Sequence, residues 1–196
     1  MPTAFLEPVA PPPLESLPRK KWTVCEIEDL ISKGCSFKRY ELIDGEIIDK
    51  KPGKTAPHVL AAMLLQEWLI GIFGFMRVLK GDPVHIDQCN EPEPDLSVLR
   101  APLPELGRKP RPEDTLLVVE VAASTLSFDL STKSELYGRA GIADYWVLDV
   151  NQRRMIVHRE PVGGKYTSVV VYREDEAVAP LAGPDSAFRV AAAFGG

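Results

Sequence analysis

Apolar positions along the chain change period several times, and each change marks a new element. From Trp22 onward, Val24, Ile27, Leu30 and Ile31 recur at helical spacing, with Thr23 placed to cap the first turn and Gly34 to follow the last. RYELIDGEIID, residues 39–49, reads as two short strands joined at Asp44-Gly45, a dipeptide suited to a tight hairpin. With a two-residue loop, Glu41 falls opposite Ile48 and shares a face with Ile43 and Glu46. Pro57 suits the first position of a helix, which the apolar run behind it carries to about Leu69 or Ile70. That helix is apolar nearly all round, so cover on more than one side is expected.

Three β-like runs follow, FMRVL, PVHI and DLSVL. LLVVEVA, from Leu116, is an almost unbroken apolar run, the pattern of a strand buried on both faces. A helix is predicted over about Asp129 to Arg139, closed by Gly141. DYWVLDV, MIVHRE and YTSVVVYR then read as strands, the last two spaced like antiparallel neighbours. The pattern predicts an α/β or α+β fold, a mixed sheet flanked by helices with an antiparallel meander at the C-terminal end.

Prolines punctuate this plan. Pro2, Pro8, Pro11, Pro12, Pro13 and Pro18 make residues 1–19 an extended tail, leaving 20–196 as one domain. Lys and Arg number 23 against 28 Asp and Glu, a net −5, which excludes a polybasic nucleic-acid sponge. Basic residues still cluster locally, at Arg108, Lys109 and Arg111 and at Arg153, Arg154 and Arg159. Cys25, Cys35 and Cys89 form no CxxC pair and leave an odd thiol, which argues against a disulfide scaffold and for a reducing compartment, the cytoplasm. The N-terminal stretch has its basic residues after a proline-broken apolar run and does not read as a secretory signal. Val59 to Leu79 is the one membrane-like segment, but Gln66, Glu67 and Arg77 interrupt it, so a buried helix is expected rather than a membrane span.

Four residues do not belong where the pattern puts them. Glu120 sits in the middle of LLVVEVA, where a carboxylate costs several kcal/mol unless it is paired or bound; alternatively it faces solvent at the strand end. Asp95 follows Pro94 and opens DLSVL, either as a turn residue or as a partner of Glu120 at one edge of neighbouring strands. Lys133 shares a helix face with Leu130, Leu136, Tyr137 and Ala140, so it either snorkels to water or points into a site. Glu41 lies on a partly apolar hairpin face, where plain solvation is the common explanation. Oxygen donors in this pattern suit a hard divalent cation. His58 reads as a capping or surface histidine, and His85 and His158 lack zinc-ligand spacing. Phosphate-binding glycine motifs and a GxSxG elbow are absent.

RYELIDGEIID, PEPDLSVLR and the block from Leu116 to Val150, read in order, resemble the Uma family of "putative restriction endonucleases", within the PD-(D/E)xK nuclease-like superfamily. The resemblance spans about Trp22 to Phe194. It implies a restriction-endonuclease-like mixed sheet, with Asp95 of the Pro94-Asp95 element and Glu120 as ligands of Mg²⁺ (or Mn²⁺). It also implies Glu41 as an acidic residue completing the site, nucleic acid as substrate with DNA expected, and a catalytic lysine. The strict motif places that lysine two residues after Glu120, where this chain has Ala122. The resemblance then assigns the role to Lys133 in the following helix. A homodimer would suit cleavage of both strands of a duplex, and no membrane partner is expected.

Three other readings stand beside this one. A nuclease-like fold that binds or regulates without cutting agrees with the net charge of −5. A metal-dependent enzyme could act on something smaller than duplex DNA. The four charges could also form a structural network with no chemistry.

Overall fold

The computed structural model describes residues 19–37, 39–49 and 55–195; nearly all of the predicted tail lies outside them. Helix α1 (Val24–Ser32) begins where the sequence places it: Thr23 Oγ1 accepts from Glu26 N–H at 3.3 Å, and Glu26 Oε2 accepts from Thr23 N–H at 2.9 Å. Strands β1 (Tyr40–Ile43) and β2 (Glu46–Asp49) form the hairpin, with Glu41 opposite Ile48. Asp44 and Gly45 both have positive φ, 48° and 73°, as the tight turn demands. A Cβ on Gly45 would also lie 2.9 Å from that of Lys21, so only glycine fits there.

Helix α2 (Ala56–Phe73) starts at the N-cap Thr55 and runs one turn beyond expectation, to Gly74, whose φ of 86° ends it. It buries a single stripe, His58, Ala61, Ala62, Leu65 and Leu69, and leaves Val59, Leu60 and Met63 exposed. Two elements cover it, the sheet and the C-terminal 3₁₀ segment Val190–Phe194 with Phe188, so the expectation of cover on more than one side is met except along those three exposed positions. Among the described residues it is the one helix long and apolar enough to cross a membrane, and its buried stripe is part of the main core.

A six-stranded mixed sheet carries the rest: β3 (Val78–Leu79), β4 (Leu96–Leu99), β5 (Thr115–Ala122), β6 (Asp144–Asp149), β7 (Arg154–Val162) and β8 (Lys165–Tyr172). Spatial order follows chain order. Only β5 and β6 are parallel, and β6 to β8 form the expected meander. Two of the β-like runs correct the sequence reading. Phe75–Arg77 is a 3₁₀ turn, so FMRVL yields strand only at Val78–Leu79. PVHI joins no sheet: Val84 N–H bonds the Pro92 carbonyl and His85 N–H the Pro110 carbonyl, so its donors go to proline-rich loops instead of a ladder.

Between β5 and β6 the chain is helical from Leu126 to Arg139, as α3 (Leu126–Phe128), a π turn at Asp129–Lys133 and α4 (Ser134–Arg139). The sheet is thus covered on two faces. One holds Leu117, Val119, Val121, Trp146 and Val157 against α2; the other holds Val118, Ala122, Tyr145, Val147 and Ile156 against Tyr137 of α4. Asp144, fully buried, pins the sheet by accepting from Trp146 Nε1, Arg159 Nε and Leu181 N–H, each at 2.8 Å. Asp144→Asn strips a charge and an acceptor from the buried Trp146 N–H and the half-buried Arg159 guanidinium, so it should cost about 1–3 kcal/mol. Urea unfolding will read this, and an unshifted midpoint would show the network to be dispensable.

Candidate functional site

Strand periodicity decides where Glu120 points. Val118, Glu120 and Ala122 share the face beneath the helical segment, while Val119 and Val121 face α2. Glu120 is only 4% exposed, so it is not a solvent-facing strand end. Lys133, at 5%, does not snorkel. Its Nζ donates to Glu120 Oε1 at 2.8 Å and to Glu41 Oε1 at 2.9 Å, bringing hairpin, central strand and π turn to one point. Ala122, at the position of the strict motif lysine, is a core contact, and the lysine reaches Glu120 from the helix instead.

Glu41 does a second job. The same oxygen accepts from the backbone N–H of Glu93 at 3.0 Å, which fixes the segment leading into β4. Asp95 stands one residue before Leu96, and Leu96 pairs with Val119, so the antiparallel register sets Asp95 across from Glu120. Its Oδ2 accepts from Val121 N–H at 2.9 Å. All four residues singled out in the sequence therefore meet at one end of the β4–β5 pair.

Three more residues belong to the cluster. Tyr137 Oη donates to Glu120 Oε1 at 3.1 Å, and its burial, then the Glu120 charge, raise its pKa and keep the proton on it. Asp129 is buried and accepts from Thr125 Oγ1 at 2.6 Å. Both lie four residues from Lys133 on the same helix face, a spacing that could have found them. His58 Nε2 lies 3.4 Å from Asp95 Oδ1, and the residue is buried, so it is neither a cap nor a surface group. That contact joins α2 to the start of β4, and no local sequence signal foretells it.

The electrostatics follow from crowding carboxylates around one ammonium. Burial pushes the pKa of Glu120 up; Lys133 pulls it back, while Asp129, Asp95 and Glu41 push it further, to about 8. Asp129 is raised chiefly by burial as well. Burial alone would lower the pKa of Lys133, but Glu120, Glu41 and Asp129 outweigh it and hold the ammonium charged above its ordinary range. A carboxyl that grips its proton more tightly when folded gives its full stability at low pH and loses it as pH rises from the ordinary carboxylate range toward 8. Metal-free protein should accordingly show a urea midpoint that falls over that interval, and Glu120→Gln should flatten the slope. A wild-type midpoint that rises toward pH 8 would contradict the assignment.

An excess of carboxylate oxygen over positive charge suits a hard cation. Among the described residues no group of three or more His, Cys, Asp and Glu side chains is spaced as a metal site. A cation that keeps several waters and takes one or two carboxylates needs no such group, and Asp95 with Glu120 supplies two from adjacent strands. The basic clusters are less available than the sequence suggests. Arg108 is tied to Asp114, Lys109 to Glu28 and Glu91, Arg153 to Glu174, Arg154 to Asp149 and Arg159 to Asp144.

Comparison with known proteins adds to this geometry. A family model, Uma2, described as "Putative restriction endonuclease", matches residues 35–191. No curated protein matches the chain. Among solved structures, a "putative nuclease belonging to DUF820" from Anabaena variabilis ATCC 29413 superposes with a TM-score of 0.69. The superposition covers 88% of this chain and 97% of that one at 15% identity, a likeness of fold.

Proposed function

Because the chain belongs to the Uma2 restriction-endonuclease family, we propose that it is a metal-dependent endonuclease that hydrolyses phosphodiester bonds of DNA. The observation that carries the reading is the buried convergence of Glu41, Glu120 and Lys133 beside Asp95 at one end of two central strands. A fold built only for stability gains little from such a cluster, because desolvation offsets the Coulomb attraction.

Asp95 and Glu120 are the residues that would hold Mg²⁺ or Mn²⁺, which when bound supplies Lewis acidity and a water of lowered pKa. Lys133 places a fixed positive charge where charge develops on the phosphate, a contribution that needs no reorganisation during reaction. Glu41 and Tyr137 act through others: one holds the Lys133 ammonium and the Glu93 amide, the other orients the Glu120 carboxylate. Cys25, Cys35 and Cys89 carry free thiols, which suits a reducing cytoplasm as the place of action.

The test is cleavage of single-stranded, duplex and branched DNA and of RNA, in Mg²⁺, in Mn²⁺ and in EDTA. Cutting that depends on metal and prefers DNA is the expected result; cutting in EDTA, or of RNA alone, would overturn it. One observation favours a second reading, a nuclease-like module that binds without cutting. The ion-paired arginines and the net charge of −5 leave little basic surface to grip a duplex. Retention of DNA with no cutting in any metal would bring that reading forward.

A further inference from the structure

Buried polar groups are almost always hydrogen-bonded, so one that is not marks a place where a water or an ion is expected. Among the described residues three buried side-chain atoms have no hydrogen-bond partner: Ser97 Oγ, His158 Nδ1 and His58 Nε2. His58 is the one that faces a carboxylate of the candidate site. Its Nε2 stands 3.4 Å from Asp95 Oδ1, yet the two form no hydrogen bond. Both sides of this approach are held in place. His58 is 8% exposed and lies in the first turn of α2, just after the N-cap Thr55, where the buried stripe that packs on the sheet begins. Asp95 is fixed through its other oxygen, which accepts from Val121 N–H at 2.9 Å.

A cation satisfies a ring nitrogen and a carboxylate oxygen that face each other without a shared proton. Imidazole with its proton on Nδ1 presents a lone pair at Nε2, one of the two ways a histidine binds metal. Two donors about 2.1 Å from one ion stand about 3.0–3.4 Å apart as their angle widens from octahedral to tetrahedral. His58 Nε2 and Asp95 Oδ1 are already at such a separation. We propose that His58 is a nitrogen ligand of the cation held by Asp95 and Glu120, and that it makes Mn²⁺ rather than Mg²⁺ the ion the site selects. This role rests on the metal-dependent reading above and names its cofactor. Oxygen donors alone suit both ions, whereas an imidazole adds affinity for the transition ion and little for Mg²⁺, which is hard and prefers carboxylate and water. A histidine that only steered Asp95, without touching the ion, would also slow cleavage when replaced, so the test must read the ion itself.

Electron paramagnetic resonance of Mn²⁺ added to the metal-stripped full chain does so without a cleavage assay. Spin-echo envelope modulation of the bound ion should show a directly coordinated nitrogen in the wild type and none in His58→Gln. His58→Gln should bind Mn²⁺ roughly tenfold or more weakly, while Mg²⁺, measured by competition, changes little. His58→Glu, which returns an oxygen donor at similar reach, should bind both ions, show no nitrogen and lose the preference for Mn²⁺. Far-UV circular dichroism of the variants separates a lost ligand from a lost fold. Mn²⁺ that is bound by the wild type and released in Asp95→Asn, but shows no coordinated nitrogen, overturns the role of His58 and leaves the metal-dependent reading standing. An unchanged preference between the two ions in His58→Gln overturns it as well. A wild type that binds no Mn²⁺ at any concentration reached overturns both.

Discussion

Lys133→Met should lower the free energy of unfolding by about 3–5 kcal/mol, the cost of removing one partner from a buried ion cluster. In a domain of this size that is roughly 10 °C or more in Tm. Methionine nearly matches the lysine stem in volume, so the loss reads charge and not a cavity. What remains is Glu41, Glu120 and Asp129 with their shared ammonium gone, all three buried. The Glu120 and Asp129 carboxyls, already raised by burial, can escape only by protonation, so the deficit should be widest at neutral pH and shrink as pH falls into the carboxylate range. Thermal unfolding at pH 5 and pH 7.5 measures both statements, and a loss below 1 kcal/mol at the higher pH would mean that the bridge does not form. A further variant, Glu41→Leu/Glu120→Leu/Lys133→Met, separates stability from chemistry. Buried ion clusters replaced whole by apolar side chains are often as stable or more so. If the triple variant equals or exceeds the wild type in stability, the charges are retained for what they do and not for what they hold.

The sequence states the strands and the odd charges well and the loops poorly, for reasons visible in particular residues. LLVVEVA is legible because both faces of β5 are buried, so every position reports the same environment and Glu120 stands out against it. The hairpin is legible because Asp44 and Gly45 must both take positive φ, a demand few dipeptides meet. Lys133 is legible because helical period alone puts it on the inward face, and the π turn leaves that placement intact. PVHI fails because its alternation matches a strand while its amides are claimed by proline carbonyls distant in the chain. The exposed side of α2 fails because composition says how apolar a helix is and not how many elements come to meet it. His58 fails for a related reason: its meeting with Asp95 is set by the packing of α2 on β4, which local pattern does not encode. Periodicity alone does not join Glu41 to the site; the family resemblance carried by RYELIDGEIID, PEPDLSVLR and the block from Leu116 to Val150 does.

Asp95→Asn and Glu120→Gln should each reduce metal-dependent cleavage by at least about a thousandfold, since carboxylate ligation is worth several kcal/mol of transition-state stabilisation. The two should not behave alike in other respects. Glutamine at 120 keeps an oxygen to accept from Lys133 and Tyr137, and it removes a charge that burial and three neighbouring carboxylates disfavour. Glu120→Gln should therefore be at least as stable as the wild type at pH 8, so its lost activity cannot be blamed on unfolding. Asparagine at 95 keeps an acceptor for Val121 N–H but withdraws the charge facing His58 Nε2. It should cost stability modestly while leaving the sheet intact. Nucleic-acid retention, measured in EDTA, should be undiminished in Glu120→Gln, because the substitution removes a negative charge and adds none. Cleavage within tenfold of the wild type in both variants would remove Asp95 and Glu120 from the chemistry. The cluster would then be a structural network, and the apolar triple variant would be expected to fall short of the wild type in stability.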